Sequence, residues 1–310
     1  MESIFVPLAL LAGGLLPIQA GANAQLSKSV ASPFAATTLQ LLVGAALLLL
    51  VAALAGSLAA LAGLFAVPWW HAIGGLASAL YVVSGILLFP RLGAVVTVGL
   101  FIAGQMLASV ALDTSGILGV APRAFDLATA AGTGAVLLGI VAIVKGQTGG
   151  SNAQPVANLS GWVVLAFVAG AILPLQGAVN ALLRAELDAP LAVGALSFVV
   201  ATAGMVLVFL LAAIVTKTPK PRVCALPRMP WWGWLGGFVG AYYVVTVFMA
   251  IPEIGTAATV GLTIVGQQLV SMLVDLYGLL RLPQRHISGL RLLGVALLLG
   301  GVALILMLRV

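Results

Sequence analysis

Pro17-Ile18-Gln19-Ala20-Gly21-Ala22-Asn23 returns 157 residues later as Pro174-Leu175-Gln176-Gly177-Ala178-Val179-Asn180. The stretch Pro68 to Leu118 returns as Pro230 to Leu280, with 23 of 51 positions identical at a constant offset of 162. An internal repeat governs architecture before any other signal does. Both copies sit in almost uninterrupted apolar sequence, which makes each a membrane-spanning unit. Two units that each cross the bilayer an odd number of times must lie in opposite orientations. That is the inverted-repeat plan of secondary transporters, whose substrate site lies between the halves.

Composition sets the class. The chain has 310 residues, 63% hydrophobic and 6% charged, with a mean hydropathy of +1.25. An ordinary soluble domain carries about 25% charged residues. The longest stretch outside the apolar runs, Thr216 to Pro230, is too short to fold as a domain. The net charge of +6 therefore reads as membrane topology rather than nucleic-acid binding. One cysteine, Cys224, and two histidines, His71 and His286, make neither a disulfide framework nor a three-ligand metal site. No cofactor is expected, and no enzyme motif survives inspection. The Gly-rich string Gly236-Gly237-Phe238-Val239-Gly240 follows no strand, has no phosphate-loop lysine and lies inside an apolar span.

About 20 apolar residues cross the hydrocarbon core as a helix. That measure predicts an all-α integral membrane fold of ten spans: 4–26, 33–55, 68–89, 93–112 and 124–145, then 160–183, 190–215, 231–250, 255–279 and 288–308. Residues 1–150 form the first five-span unit and residues 151–310 the second. Gly146 to Asn158 has linker composition. Ser57 to Val67 is too short to span and is expected as an interfacial turn. Ala20 to Ala24 resembles a signal-cleavage site, but no basic residue precedes it and its counterpart lies mid-chain, so the first span is expected to be retained. Ten basic residues (Lys28, Arg91, Lys145, Lys217, Lys220, Arg222, Arg228, Arg281, Arg285 and Arg291) fall on one side of the ten-span scheme, against Arg123, Arg184 and Arg309 on the other. Positive-inside then places both termini in the periplasm.

Two constellations carry the candidate chemistry. Pro17 and Pro174 sit mid-span, where proline removes a helical hydrogen bond and is expected to kink the first and sixth spans. Gln19 and Asn23 share a helical face after the first kink, as Gln176 and Asn180 do after the second. Corresponding interrupted spans are the sequence pointer to a transporter site; the bland alternative is that the amides merely tie helices together, at about 0.6–2 kcal/mol each. In the fourth span Thr97, Gln105, Ser109 and Asp113 make a polar stripe. Thr259, Thr263, Gln267, Ser271 and Asp275 repeat it in the ninth. Asp113 and Asp275 are candidates for proton coupling, or else acids that solvate or pair helix ends. No ionisable residue lies at the centre of a span, so a neutral or zwitterionic substrate met by amides, hydroxyls and Tyr81/Tyr243 is favoured over a strongly charged one.

Two five-span copies, each with Pro-x-Gln-x-x-x-Asn in its first span and Gly-Gln-x-Leu-x-Ser-x-x-x-Asp in its fourth, resemble the YdcZ-like branch of the drug/metabolite transporter superfamily over essentially the whole chain. The resemblance implies a ten-helix inverted-repeat bundle in a bacterial inner membrane, a fused version of an antiparallel pair. It also implies that Gln19, Asn23, Gln105, Ser109, Gln176, Asn180, Gln267 and Ser271 line the substrate path. The coupling glutamate of the small multidrug-resistance branch is replaced by Gln and Asn, which argues against that export mechanism. The expected partners are a small molecule and the lipid bilayer, with no nucleic acid, in a monomer or homodimer. A non-transporting membrane scaffold, a channel and a multidrug exporter are the competing readings.

Overall fold

The computed structural model describes residues 2–92, 94–122, 124–145, 160–215, 221–281 and 288–307. Among them are ten α-helices and no strand: α1 (Glu2–Val30), α2 (Pro33–Leu54), α3 (Leu76–Leu92), α4 (Ala94–Ser115), α5 (Leu127–Lys145), α6 (Ser160–Leu187), α7 (Pro190–Val215), α8 (Leu235–Ile254), α9 (Thr256–Tyr277) and α10 (Gly289–Met307). Eight helices are long and apolar enough to cross a membrane, and α5 and α10 supply the shorter apolar segments Leu127–Ile143 and Leu292–Ile305. The 19 residues of α5 still reach about 28 Å at the helical rise.

Local chemistry explains the helix ends. Ser32 caps α2, its hydroxyl accepting from the Ala35 amide at 3.2 Å, and Pro33 takes the first-turn position whose N–H would be unpaired anyway. The turn before it needs Ala31 at φ 55°. Ser57–Phe65 is a nine-residue 3-10 segment rather than a span. The paired tryptophans fall in short 3-10 turns, Trp69–His71 and Trp231–Trp234, so α3 and α8 begin later than their apolar runs. Pro17 and Pro174 lie inside α1 and α6, and each helix is continuous across its proline. Neither span is unwound there.

Glycines set the helix pairing. A Cβ on Gly13 would overlap the Thr263 backbone, and one on Gly266 would overlap the Leu10 carbonyl, so α1 and α9 touch backbone to backbone. The equivalent residues repeat this between α6 and α4: Gly170 against Phe101, and Gly104 against Phe167. Small residues permit such approach, and dispersion between helices follows from it. Along α5 the contact moves from Gly132 to Gly139 while along α10 it moves from Gly301 to Gly294, so these two run antiparallel. Gly236 and Gly240 of α8 face Asn23 and Gln19 respectively, which sets α8 antiparallel to α1. The larger core cluster joins α1, α2, α3, α6, α7 and α8 around Phe198 and Phe248; a second joins α4, α5, α9 and α10. Outward faces are apolar, as at Leu207, Leu210, Leu211 and Ile214 of α7.

Candidate functional site

The two amide pairs are equivalent in sequence and unequal in structure. Gln19 and Asn23 line a cavity of about 160 Å³ whose walls include Ser27, Lys28, Tyr81, Val82, Gly85 and Phe101. The repeat equivalents of six of its residues, Leu173, Gln176, Gly177, Tyr243, Val244 and Val247, surround a space of only about 10 Å³. Val247 stands where the first copy has Gly85, and its Cγ1 lies over Gly177 together with Ile251. Beyond the collapsed space a vestibule of about 250 Å³ is bordered by Ala178, Ala181, Leu182, Ile251, Pro252 and Gly255. Because α8 starts beside Asn23, runs antiparallel to α1 and ends at this vestibule, vestibule and open cavity lie toward opposite ends of the bundle.

Hydrogen bonding follows the same asymmetry. Around the second amide pair, Ser78 of α3 and Gln176 of α6 bond each other across the two units, with Gln176 Nε2 to Ser78 Oγ at 2.7 Å. Asn180 Nδ2 donates to Ser197 Oγ at 3.1 Å and Gln176 Nε2 approaches the same hydroxyl at 3.4 Å. The equivalents of Ser78 and Ser197 are Gly240 and Gln40. Gln40 Nε2 donates to the Gly236 carbonyl at 3.1 Å, while Asn23 Oδ1 and Gln40 Oε1 are buried with no protein partner. A closed polar cluster seals one half; an unsatisfied one borders a cavity in the other.

Thr97, Gln105, Ser109 and Asp113 of α4 and Thr259, Thr263 and Gln267 of α9 are buried, and of these two helices only Phe101 lines the open cavity. Ser109 and Thr263 bond carbonyls of their own helices, Met106 and Val260. The Gln267 amide reaches the Tyr81 hydroxyl, and Tyr243 turns to Thr263, so Gln105 is left with neither side-chain atom bonded. Ser271 is half-buried. Asp113 is 1% exposed and its Oδ2 accepts from the Ala257 amide at 3.0 Å, at the first turn of α9. An acid there satisfies a donor that the helix leaves unpaired and complements its dipole. The Asp275 side chain lies outside the described residues, as do the 146–158 linker and the Lys217, Lys220, Arg285 and His286 positions.

Sequence reasoning missed Gln40, Ser78 and Ser197. Their signal was present as isolated polar residues in apolar spans, but matching the repeats concealed it, because position 40 is Gln where its counterpart is Ser. No group of three or more metal-ligating side chains occurs among the described residues.

A solved crystal structure superposes over 99% of this chain and 97% of its own, with a TM-score of 0.65 and 19% sequence identity, which establishes a shared fold. No curated protein matches the chain by sequence. The profile of a family described as "Putative inner membrane exporter, YdcZ" matches residues 4–142 and again residues 161–304. Matched twice, over two units that each carry the same amide motif, the chain belongs to the YdcZ family as a fused pair of its repeat units and is a multi-pass inner-membrane protein.

Proposed function

We propose that this protein is a secondary transporter that carries a small neutral or zwitterionic metabolite across the inner membrane by alternating access, its two five-helix units inverted relative to each other. The observation that carries the reading is the pair of equivalent cavities, one open at about 160 Å³ and one collapsed to about 10 Å³. A two-state carrier built from repeats is expected to hold one unit open and its counterpart shut, then to exchange them. The antiparallel run of α5 and α10, the last helices of the two units, supports the inversion. Gln19, Asn23 and Ser27 on the wall of the open cavity supply the uncharged polar groups that such a ligand would meet.

The test is a thermal-shift screen of the purified protein against metabolite fractions; a ligand at one hundred times its dissociation constant adds about 2.7 kcal/mol. Stabilising compounds are then followed in liposomes. Counterflow that disappears in Asn23→Leu is the expected result. Compounds that stabilise the protein yet never cross the bilayer would overturn the transporter reading.

A further inference from the structure

Among the described residues that line the open cavity, Lys28 alone is charged. It lies in the last turn of α1, and Ala24 and Ala20, four and eight residues before it, line the same wall. That spacing puts the three on one helix face, and a helical side chain leans back toward the N-terminus. The Lys28 stem therefore runs over the small Ala24 at the rim of the cavity, and the residue as a whole is exposed. Arg222 adds positive potential at the same helix end, where its amide donates to the Val30 carbonyl at 2.9 Å. Arg91, at the end of α3, is already engaged, its guanidinium 4.2 Å from the Trp162 ring centre. The other end of the path is built differently. Ala185 stands where the first copy has Lys28, 157 residues earlier, and lines the vestibule. Glu186, Asp188 and Glu253 follow the vestibule residues Ala185 and Pro252 in the chain, with Arg184 as the base among them.

We infer that Lys28 is a specificity residue: at the mouth of the open cavity it pairs with the carboxylate of a ligand whose compact apolar body lies inside, against Tyr81, Val82 and Phe101. The cavity volume of about 160 Å³ is close to the roughly 150 Å³ that accommodates a benzene ring. Body and charge are thus separated along α1, the body enclosed and the carboxylate at the wet rim. An ion held there keeps part of its hydration and gains a countercharge, so the cost of burying a bare charge does not arise. With Ala185 at the equivalent place, the contact belongs to one end of the path, and a carboxylate ligand binds more tightly to the form open at Lys28. This rests on the substrate-site reading of the same cavity and narrows the ligands proposed for it to those that carry a carboxylate.

Benzoate and benzamide are the probes, since they carry the same ring and a planar group of the same shape, with and without charge. Dissociation constants are measured on the full-length protein in an uncharged detergent and referenced to partitioning into empty micelles. Benzoate is expected to bind about three- to fivefold more tightly than benzamide, the upper part of what an ion pair in contact with water is worth. The preference should fade as salt rises from about 10 mM to about 1 M, which shortens the screening length from about 30 Å to about 3 Å. Lys28→Met, which keeps the length of the stem and removes the charge, should leave benzamide binding intact and bring benzoate down to it or below. Lys28→Arg should restore the preference. Equal affinities for the two probes in the wild type would overturn the inference and leave Lys28 to the carbonyls of its own helix end or to Asp275 of α9. A preference that survives Lys28→Met would overturn it as well. A carboxylate preference in a protein that transports nothing would uphold the role of Lys28 and refute the transporter; transport without the preference would do the reverse.

Discussion

Gln19 and Gln176 occupy equivalent positions on equivalent helices, yet Gln176 is tied to Ser78 while Gln19 faces Gly240 and the cavity. The difference lies in the neighbours. Asn23→Leu keeps approximate volume and removes a buried acceptor without a partner, so the melting temperature should hold or rise while binding of the transported compound falls about tenfold or more, the effect of about 1–3 kcal/mol. Asn180→Leu instead breaks the bond to Ser197 and should lower stability as well as transport. Melting curves beside counterflow rates separate the two; parallel losses in both would mark the amides as structural. Asp113 offers a sharper contrast. Asp113→Asn retains an acceptor for the Ala257 amide and should be nearly neutral for stability, whereas Asp113→Ala should cost about 1–2 kcal/mol by loss of a cap. Loss of gradient-driven uptake in Asp113→Asn, with exchange preserved, would show that the acid cycles a proton and is more than a cap.

The helices are held by bare backbone contact where α1 meets α9 and α4 meets α6. Gly13→Val or Gly170→Val would drive side-chain atoms into another helix's main chain, a clash beyond the ordinary overpacking cost of about 1–3 kcal/mol. These variants should express poorly or melt well below wild type. Gly134→Ala, also helical but with nothing within 4 Å of its added methyl, should be neutral or stabilising by about 0.5–1 kcal/mol. Comparable losses at both kinds of site would mean that these contacts do not hold the bundle. The order of the helices was readable from apolar runs and Pro/Gly punctuation because a bilayer forces each crossing to satisfy its own backbone. Both helices are continuous through Pro17 and Pro174, and the polar faces that follow are presented by whole helices.

At the scale of the molecule, alternation predicts which positions water can reach. Ala20 lines the open cavity and Gly177, its equivalent, the collapsed one. In a Cys224→Ser background, a cysteine at position 20 should react with a hydrophilic thiol reagent at least tenfold faster than one at 177. Weakening the seal by Ser78→Ala with Ser197→Ala should narrow or reverse that ratio. A ratio unmoved by the double substitution would make the collapsed half a permanent plug, filled by Val247. Orientation can be read from the native chain. Cys224 is its single cysteine and is exposed; placed by the positive-inside rule in a cytoplasmic loop, it should resist an impermeant thiol reagent in intact cells and react in inverted vesicles. Labelling from outside would reverse the assignment of both termini.

What the sequence determined by itself was the repeat, the ten helices and the paired amides, because apolar length, proline placement and self-similarity are written one residue after another. It could not reveal that the two amide pairs differ. That difference comes from Gly85 against Val247, Gln40 against Ser197 and Ser78 against Gly240, residues drawn from separate helices and from both units. Self-similarity finds positions where the copies agree, whereas the cavity arises where they disagree. Only packing decided which amides were satisfied by neighbours and which were left facing an open space, since a hydrogen bond depends on what stands about 3 Å away and helix spacing is set by glycines scattered along the whole chain.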